Sequence, residues 1–391
     1  MCFIFYFIII IVNKIILKMF FTIIPILFFM NLTNLINISN SFLVKPYFHV
    51  ITSNKINNNK INKINTNKIL IHPLRNKFKN DEPDKKIERK IIFEKLYLFI
   101  KSKTNSYLKL IRYKNIAPTF LLSLTGGWLM NPSLFELIQN PSFIGASLNT
   151  ILIMSSSMVV NDIYDVEIDK INNPKRPLVT GEISIIEAYL FTFFLLQITQ
   201  YINILYIPEP LQFITDLSTI FVFIYTPILK RIIFLKNVSC AALVAFSVFF
   251  AGVASTNQVM NLNQNFGIFS LVISFIFLGS LYNEIMLDIY DYEGDKQNKI
   301  ITIPVIFGKN NAWKITNFLL WLNIFMNSLA LMSVYNFYAG LIFYFISIPL
   351  ITRSIEVKKQ NFAKDYVKRV VNKTNMQLFI ILLYFCSLTF L

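Results

Sequence analysis

The chain has 391 residues, 55% apolar and only 15% charged, with 39 phenylalanines. A soluble protein of this length has no use for so many long apolar runs, so the membrane class comes first. The net charge of +16 is concentrated in residues 1–80, which hold ten Lys/Arg and no Asp or Glu; the body keeps 27 basic against 21 acidic residues, which removes most of the support for a nucleic-acid ligand.

Residues 1–30 are apolar, interrupted by Lys14 and Lys18, and "MFFTIIPILFFM" (19–30) has the length of a signal core rather than of a full span. "SNKINNNKINKINTNKILIHPLRNKFKN" (53–80) is rich in Asn, Lys and Ile, free of acid, and reads as disordered. Together they resemble the two-part leaders that send proteins into plastids of secondary origin, with the mitochondrial inner membrane as the second compartment. An extra membrane anchor or coding bias are the competing explanations. The expected division is a signal-like leader over 1–30, a basic transit-like segment over 31–90 and a membrane domain over 91–391. His49 and His72 both lie in the leader, so the body excludes Ser-His-Asp, Cys-His and His-ligated metal chemistry. Cys2, Cys240 and Cys386 form neither a metal spacing nor a disulfide framework.

From about residue 112 the chain becomes a series of apolar runs at 114–131, 143–160, 184–206, 211–229, 238–254, 266–287, 312–334, 336–352 and 376–391. Several approach the ~20 residues needed to cross a bilayer core, and continuous runs of this kind predict helices rather than barrel strands. An all-α, polytopic membrane protein with about nine transmembrane helices is expected. The loops after runs 1, 3, 5 and 7 hold no Lys or Arg, whereas those after runs 2, 4, 6 and 8 are basic. That alternation is what the positive-inside bias gives if the count is right.

Two nearly identical acidic phrases follow runs 2 and 6, on the same side by that parity: "DIYDVEIDK" (162–170) and "DIYDYEGDK" (288–296). At 3.6 residues per turn, Asp162, Asp165 and Asp169 fall within a 60° arc, with Asn161 beside them; Asp288, Asp291 and Asp295 repeat the spacing. Glu167 and Glu293 point the other way. Carboxylates gathered at two helix ends repel unless a cation lies between them, and hard oxygen ligands suit Mg²⁺, which commonly binds through carboxylates plus substrate phosphates. Acids that merely mark the membrane surface are the bland reading of either phrase alone; matched spacing on one side argues against it for both. Nearby stand Lys175 and Arg176 in "INNPKRPLVTGEIS" (171–184), Lys230 in "YTPILKR" (225–231), and "KQNKIITIPVIFGK" (296–309). Carboxylates for Mg²⁺ with Lys and Arg at hand describe a diphosphate site, whose leaving charge the cations neutralise. Topology control suffices for Lys236, Lys309 and most of 353–373.

These residues resemble the UbiA superfamily of intramembrane prenyltransferases. "NDIYDVEID" (161–169) is similar to its first Asn/Asp motif and "DYEGD" (291–295) to its second, with "RPLVTGEIS" (176–184), "YTPILKR" and "EGDKQNKIITIPVIFG" (293–308) in the family's order. The resemblance covers roughly 108–391 and implies a horseshoe of helices around a cavity open to lipid. It implies that Asn161, Asp165, Asp169, Asp291 and Asp295 hold Mg²⁺ and diphosphate, and that Arg176, Lys230 and Tyr225 contact phosphate oxygens. Asp162, Lys175, Asp288, Arg112 and Asn115 complete the implied substrate-binding set. The short run "DKINNPKRPLVTGEIS" (169–184) looks more like the chlorophyll synthase, homogentisate and digeranylgeranylglyceryl phosphate synthase branch, and "EIMLDIYDYEGDK" (284–296) resembles the archaeal-lipid type. Asn283, where an Arg often precedes the Glu, and Lys299, which replaces a frequent Gly, leave the acceptor open.

The expected activity is therefore Mg²⁺-dependent transfer of a prenyl group, geranylgeranyl among the candidates, from its diphosphate to a lipophilic ring or hydroxyl acceptor at the membrane. A dry Phe/Ile/Leu-rich pocket would protect the allylic cation. The alternative is a divalent-cation transporter using the twin acid clusters, which the flanking Lys and Arg oppose. A CDP-alcohol phosphotransferase would need Gly after the second Asp, where Val166 and Tyr292 stand.

Overall fold

The computed structural model describes residues 82–256 and 266–391. The expectations for the leader lie outside them. Among the described residues two compact units divide the chain, one ending at Thr104 and a body over Asn105–Leu391. The described residues are helical, with no strand among them. Helix α1 (Glu82–Leu110) already runs through the last part of the segment expected to be transit-like.

After a 3-10 turn, the body continues through α2 (Ile116–Met130), α3 (Leu134–Gln139), α4 (Pro141–Tyr164), α5 (Val166–Asn172), α6 (Pro177–Thr180), α7 (Ile185–Tyr206) and α8 (Glu209–Tyr225). Then come α9 (Leu235–Ser255), α10 (Phe266–Gln297), α11 (Ile303–Phe307), α12 (Lys309–Val334), α13 (Phe337–Lys359) and α14 (Lys364–Ser387). Each of the nine apolar runs coincides with a helix. Among the described residues, seven helices (α4, α7, α9, α10, α12, α13 and α14) are long and apolar enough to cross a membrane. The other two, α2 and α8, have 15 and 17 residues. At 1.5 Å per residue they reach only about 22–26 Å, short of a ~30 Å hydrocarbon core.

Starts and stops are written locally. Asn140 caps α4 through its side-chain oxygen, with Pro141 at the first helical position. Ser184 and Glu187 form a reciprocal capping box on α7. Helix α4 packs on α7, α8 and α9; α9 on α2 and α10; α10 on α12 and α14; α13 joins α12 to α14, which returns to α2. Gly126 sits where any side chain would strike the backbone of Val248, so α2 and α9 approach at backbone distance. Phe275, Phe343 and Phe385, from three helices, are fully buried with ring centroids 5.4–5.7 Å apart and lock α10, α13 and α14 together. On α7, Ile186, Leu190, Phe193 and Ile204 stand exposed, an aggregation hazard in water and the natural face toward hydrocarbon.

Candidate active site

Both acidic phrases end up at one end of the bundle, and one glycine shows how close they come. A side chain at Gly294, inside the second phrase, would run into the amide of Asn172, just after the first. A Cβ there would push the Asn172 side chain aside, so α5 and α10 meet within side-chain contact at this glycine. Helix α4 stops at Tyr164 and α5 starts at Val166, leaving Asp165 alone between them. The backbone bonds Asp165 N–H to Asn161 C=O and Asp169 N–H to Asp165 C=O carry the helical phase across this break. The expected stripe therefore survives: Asp162, Asp165 and Asp169 are buried, whereas Glu167 is exposed and pairs with Lys170. On α10, Asp288 and Asp295 are buried, and Glu293 turns outward to Lys309.

Cations converge on this cluster. Arg112 adopts a left-handed backbone conformation (φ 52°) in the turn before α2 and donates to Asp162 at 3.0 Å. Arg176, held at the start of α6 by Pro177, bridges Asp162 and Asp169, the latter at 2.5 Å. Lys230 pairs with Asp165 and donates to Asn161 Oδ1 at 3.0 Å, while Asn161 Nδ2 donates to Asp165 at 2.8 Å. Lys236 pairs with Asp288 at 2.6 Å, and Asn237 donates to the other carboxylate oxygen at 2.9 Å. Burial raises the carboxyl of Asp169 from 3.8 to about 6, against the pull of Arg176 and the Asn173 amide.

Of the residues expected from sequence, Asn161, Asp162, Asp165, Asp169, Arg112, Arg176, Lys230, Asp288, Asp291 and Asp295 share this end of the bundle. Lys175 and Asn115 do not join them. Both are exposed, and Asn115 engages through its backbone, its N–H donating to the Arg112 carbonyl and its own carbonyl accepting from Thr119. Tyr225 lines the cavity, with its hydroxyl engaged by the Cys240 thiol at 2.9 Å instead of a basic partner. Topology control does not suffice for Lys236, because its side chain is only 13% exposed and is spent on Asp288. Glu284 carries no site role in the sequence reading. It lines the cavity one turn before Asp288, on the stripe 284, 288, 291 and 295, and that spacing was the available signal.

Among the described residues, no three His, Cys, Asp or Glu side chains stand close enough together to cage a metal ion. The donor set nevertheless fits Mg²⁺ bound jointly with phosphate. Asp291 Oδ1 and Asn172 Oδ1 are buried without a hydrogen-bond partner, and both are hard oxygen donors beside the paired carboxylates. Next to the cluster opens a cavity of about 320 Å³ between α2, α4, α8, α9 and α10. Arg112, Asn161, Tyr225 and Glu284 lie toward its polar end; Ile153, Met154, Val222, Leu243, Phe246 and Phe250 make its apolar walls.

The sequence profile of the UbiA prenyltransferase family matches residues 119–385. The chain is 29% identical to digeranylgeranylglyceryl phosphate synthase of Saccharolobus solfataricus over 67% of its own length and 92% of that protein. It is 33% identical to the protein of the same name from Methanococcus aeolicus over 56% and 74%. Its fold is similar to a UbiA homologue from Archaeoglobus fulgidus bound to GPP and Mg²⁺ (TM-score 0.54, 18% identity, 72% of this chain and 99% of that one). A structure of digeranylgeranylglyceryl phosphate synthase in membranes gives the same TM-score of 0.54 at 24% identity, over 73% and 98%. A match over most of the body, on a helical membrane bundle with two apposed acid clusters, makes this chain a prenyltransferase that belongs to the UbiA prenyltransferase family.

Proposed function

We propose that the chain transfers a prenyl group, in the size range of geranylgeranyl, from its diphosphate to a hydroxyl of a lipophilic acceptor, with Mg²⁺ as cofactor. The observation that carries this reading is the apposition of two acid stripes and four cations at the mouth of an apolar cavity. The acceptor class is supported by the names of the relatives, which are digeranylgeranylglyceryl phosphate synthases. Mg²⁺, held by Asn161, Asp165, Asp169, Asp291 and Asp295, would supply charge neutralisation on the departing diphosphate. Arg112, Arg176, Lys230 and Lys236 would meet the remaining phosphate charge as it grows on the leaving group. The apolar wall excludes water from the allylic carbon, and the Tyr225 ring face can stabilise positive charge there. Cation transport gains no support from the site, because every buried carboxylate of the first cluster is already matched by Arg or Lys.

Diphosphate release by the full chain in detergent tests the proposal, with geranylgeranyl diphosphate, with and without Mg²⁺, and with glyceryl-phosphate or aromatic acceptors. Release that needs Mg²⁺, an acceptor and Asp291 supports it, and product mass identifies the acceptor. A folded protein silent with every donor and acceptor overturns it. The compartment rests on the leader alone, and the named relatives, which are archaeal, lend the plastid reading nothing. Microscopy of the full chain carrying a C-terminal tag would separate plastid from mitochondrion.

A further inference from the structure

The cavity has one thin wall. Phe246 on α9 is the residue that lines both the cavity and a second hollow, a groove of about 390 Å³ on the outer side of α9 and α10. Ala242 and Ala245 leave room for that groove, Phe249, Ile273 and Phe277 complete it, and Ala242 is exposed. On the cavity side the Phe246 ring stacks on Phe250, with centroids 6.1 Å apart and planes 16° from parallel. On the groove side it meets Phe249 at 5.7 Å.

We propose that Phe246 gauges the length of the prenyl donor, its ring separating the cavity from the groove into which a longer chain would continue. The inference rests on the prenyl-donor reading of the cavity. Asn237 marks the level of the acid cluster through its bond to Asp288, and Phe246 lies nine residues further along the same helix. Nine residues of helix rise about 14 Å. An extended carbon chain advances roughly 1.25 Å per bond, so about eleven bonds, or three isoprenoid units, fit between the two levels. The fourth unit arrives at the ring, and any further unit must displace it toward the groove. Steric limits at one wall of an apolar pocket commonly discriminate by 10- to 200-fold per misfit group, about the range expected here.

The test compares donors of two to six isoprenoid units on the full chain, reading kcat/KM by product mass and, separately, binding of non-hydrolysable prenyl thiodiphosphates by calorimetry. Phe246→Ala should raise the efficiency of donors longer than four units at least tenfold relative to the three-unit donor. Phe246→Trp should lower it by a similar factor while keeping the stacked packing, so that loss of fold is not mistaken for loss of length control. A length profile that stays within twofold in both variants, by turnover and by binding, overturns the proposal and leaves the prenyl-donor reading standing. Failure of the unsubstituted chain to bind any analogue sinks both.

Discussion

Asp288 is a buried carboxylate whose two oxygens are both taken. It is 7% exposed, with Lys236 at 2.6 Å and the Asn237 amide at 2.9 Å on its two oxygens. Lys236 stands in the first turn of α9, where the helix dipole disfavours a cation, so the pairing outweighs that penalty. Lys236→Met should therefore destabilise the chain by roughly 3–5 kcal/mol, since it strands a buried charge. Adding Asp288→Asn should recover most of the loss, as denaturation midpoints in detergent would show; additive losses would refute the coupling. Asp291 makes the opposite case. Its Oδ1 is buried and unpartnered beside two other acids of the same stripe. Asp291→Asn should leave the metal-free protein as stable or more so, while turnover falls by about a hundredfold or more. An inactive variant that is also strongly destabilised would assign Asp291 to structure instead of chemistry.

At the scale of elements, the short helix α5 turns a repeated phrase into half of a site. Burial raises Asp169 on it to about 6, so the folded chain holds a proton there that the unfolded chain gives up near 3.8. A raised folded value means the associated stability is present in full below about 4 and is lost as pH rises through 6. The denaturation midpoint of the metal-free protein should fall over that window, and Asp169→Asn should flatten the fall; an unchanged slope would put the dependence elsewhere. Periodicity was enough to find both stripes, because burial on one helix face is a local property of spacing, and it held even across the break at Asp165. Span lengths were less legible. Apolar composition continues past the residues that keep helical hydrogen bonds, so 114–131 shrank to 116–130 and 211–229 to 209–225. Pairing was not legible at all. Whether Lys236 or Lys175 meets an acid depends on how α9 and the α5–α6 loop are set against α10, and both lysines look alike in sequence.

Taken whole, the acids of the first phrase are each matched by Arg or Lys, whereas Asp291 of the second keeps an unpartnered oxygen. Arg112 and Arg176 hold Asp162, Arg176 also holds Asp169, and Lys230 holds Asp165; among the described residues no three acids stand grouped for a cation. A diphosphate competes for the same three basic side chains, and each one it draws away uncovers a carboxylate. Mg²⁺ and diphosphate should therefore bind as a pair: Mg²⁺ alone weakly, and at least about tenfold more tightly once inorganic pyrophosphate is present, with the same factor recovered in the reverse order. Titration calorimetry on the full chain would measure both legs of that cycle. Lys230→Gln gives the discriminating sign. It frees Asp165, so Mg²⁺ alone should bind more tightly than in the unsubstituted chain, while pyrophosphate binds more weakly and the coupling shrinks. If Lys230→Gln weakened both ligands together, the lysine would be acting on the fold of the site, and the exchange of partners would be wrong.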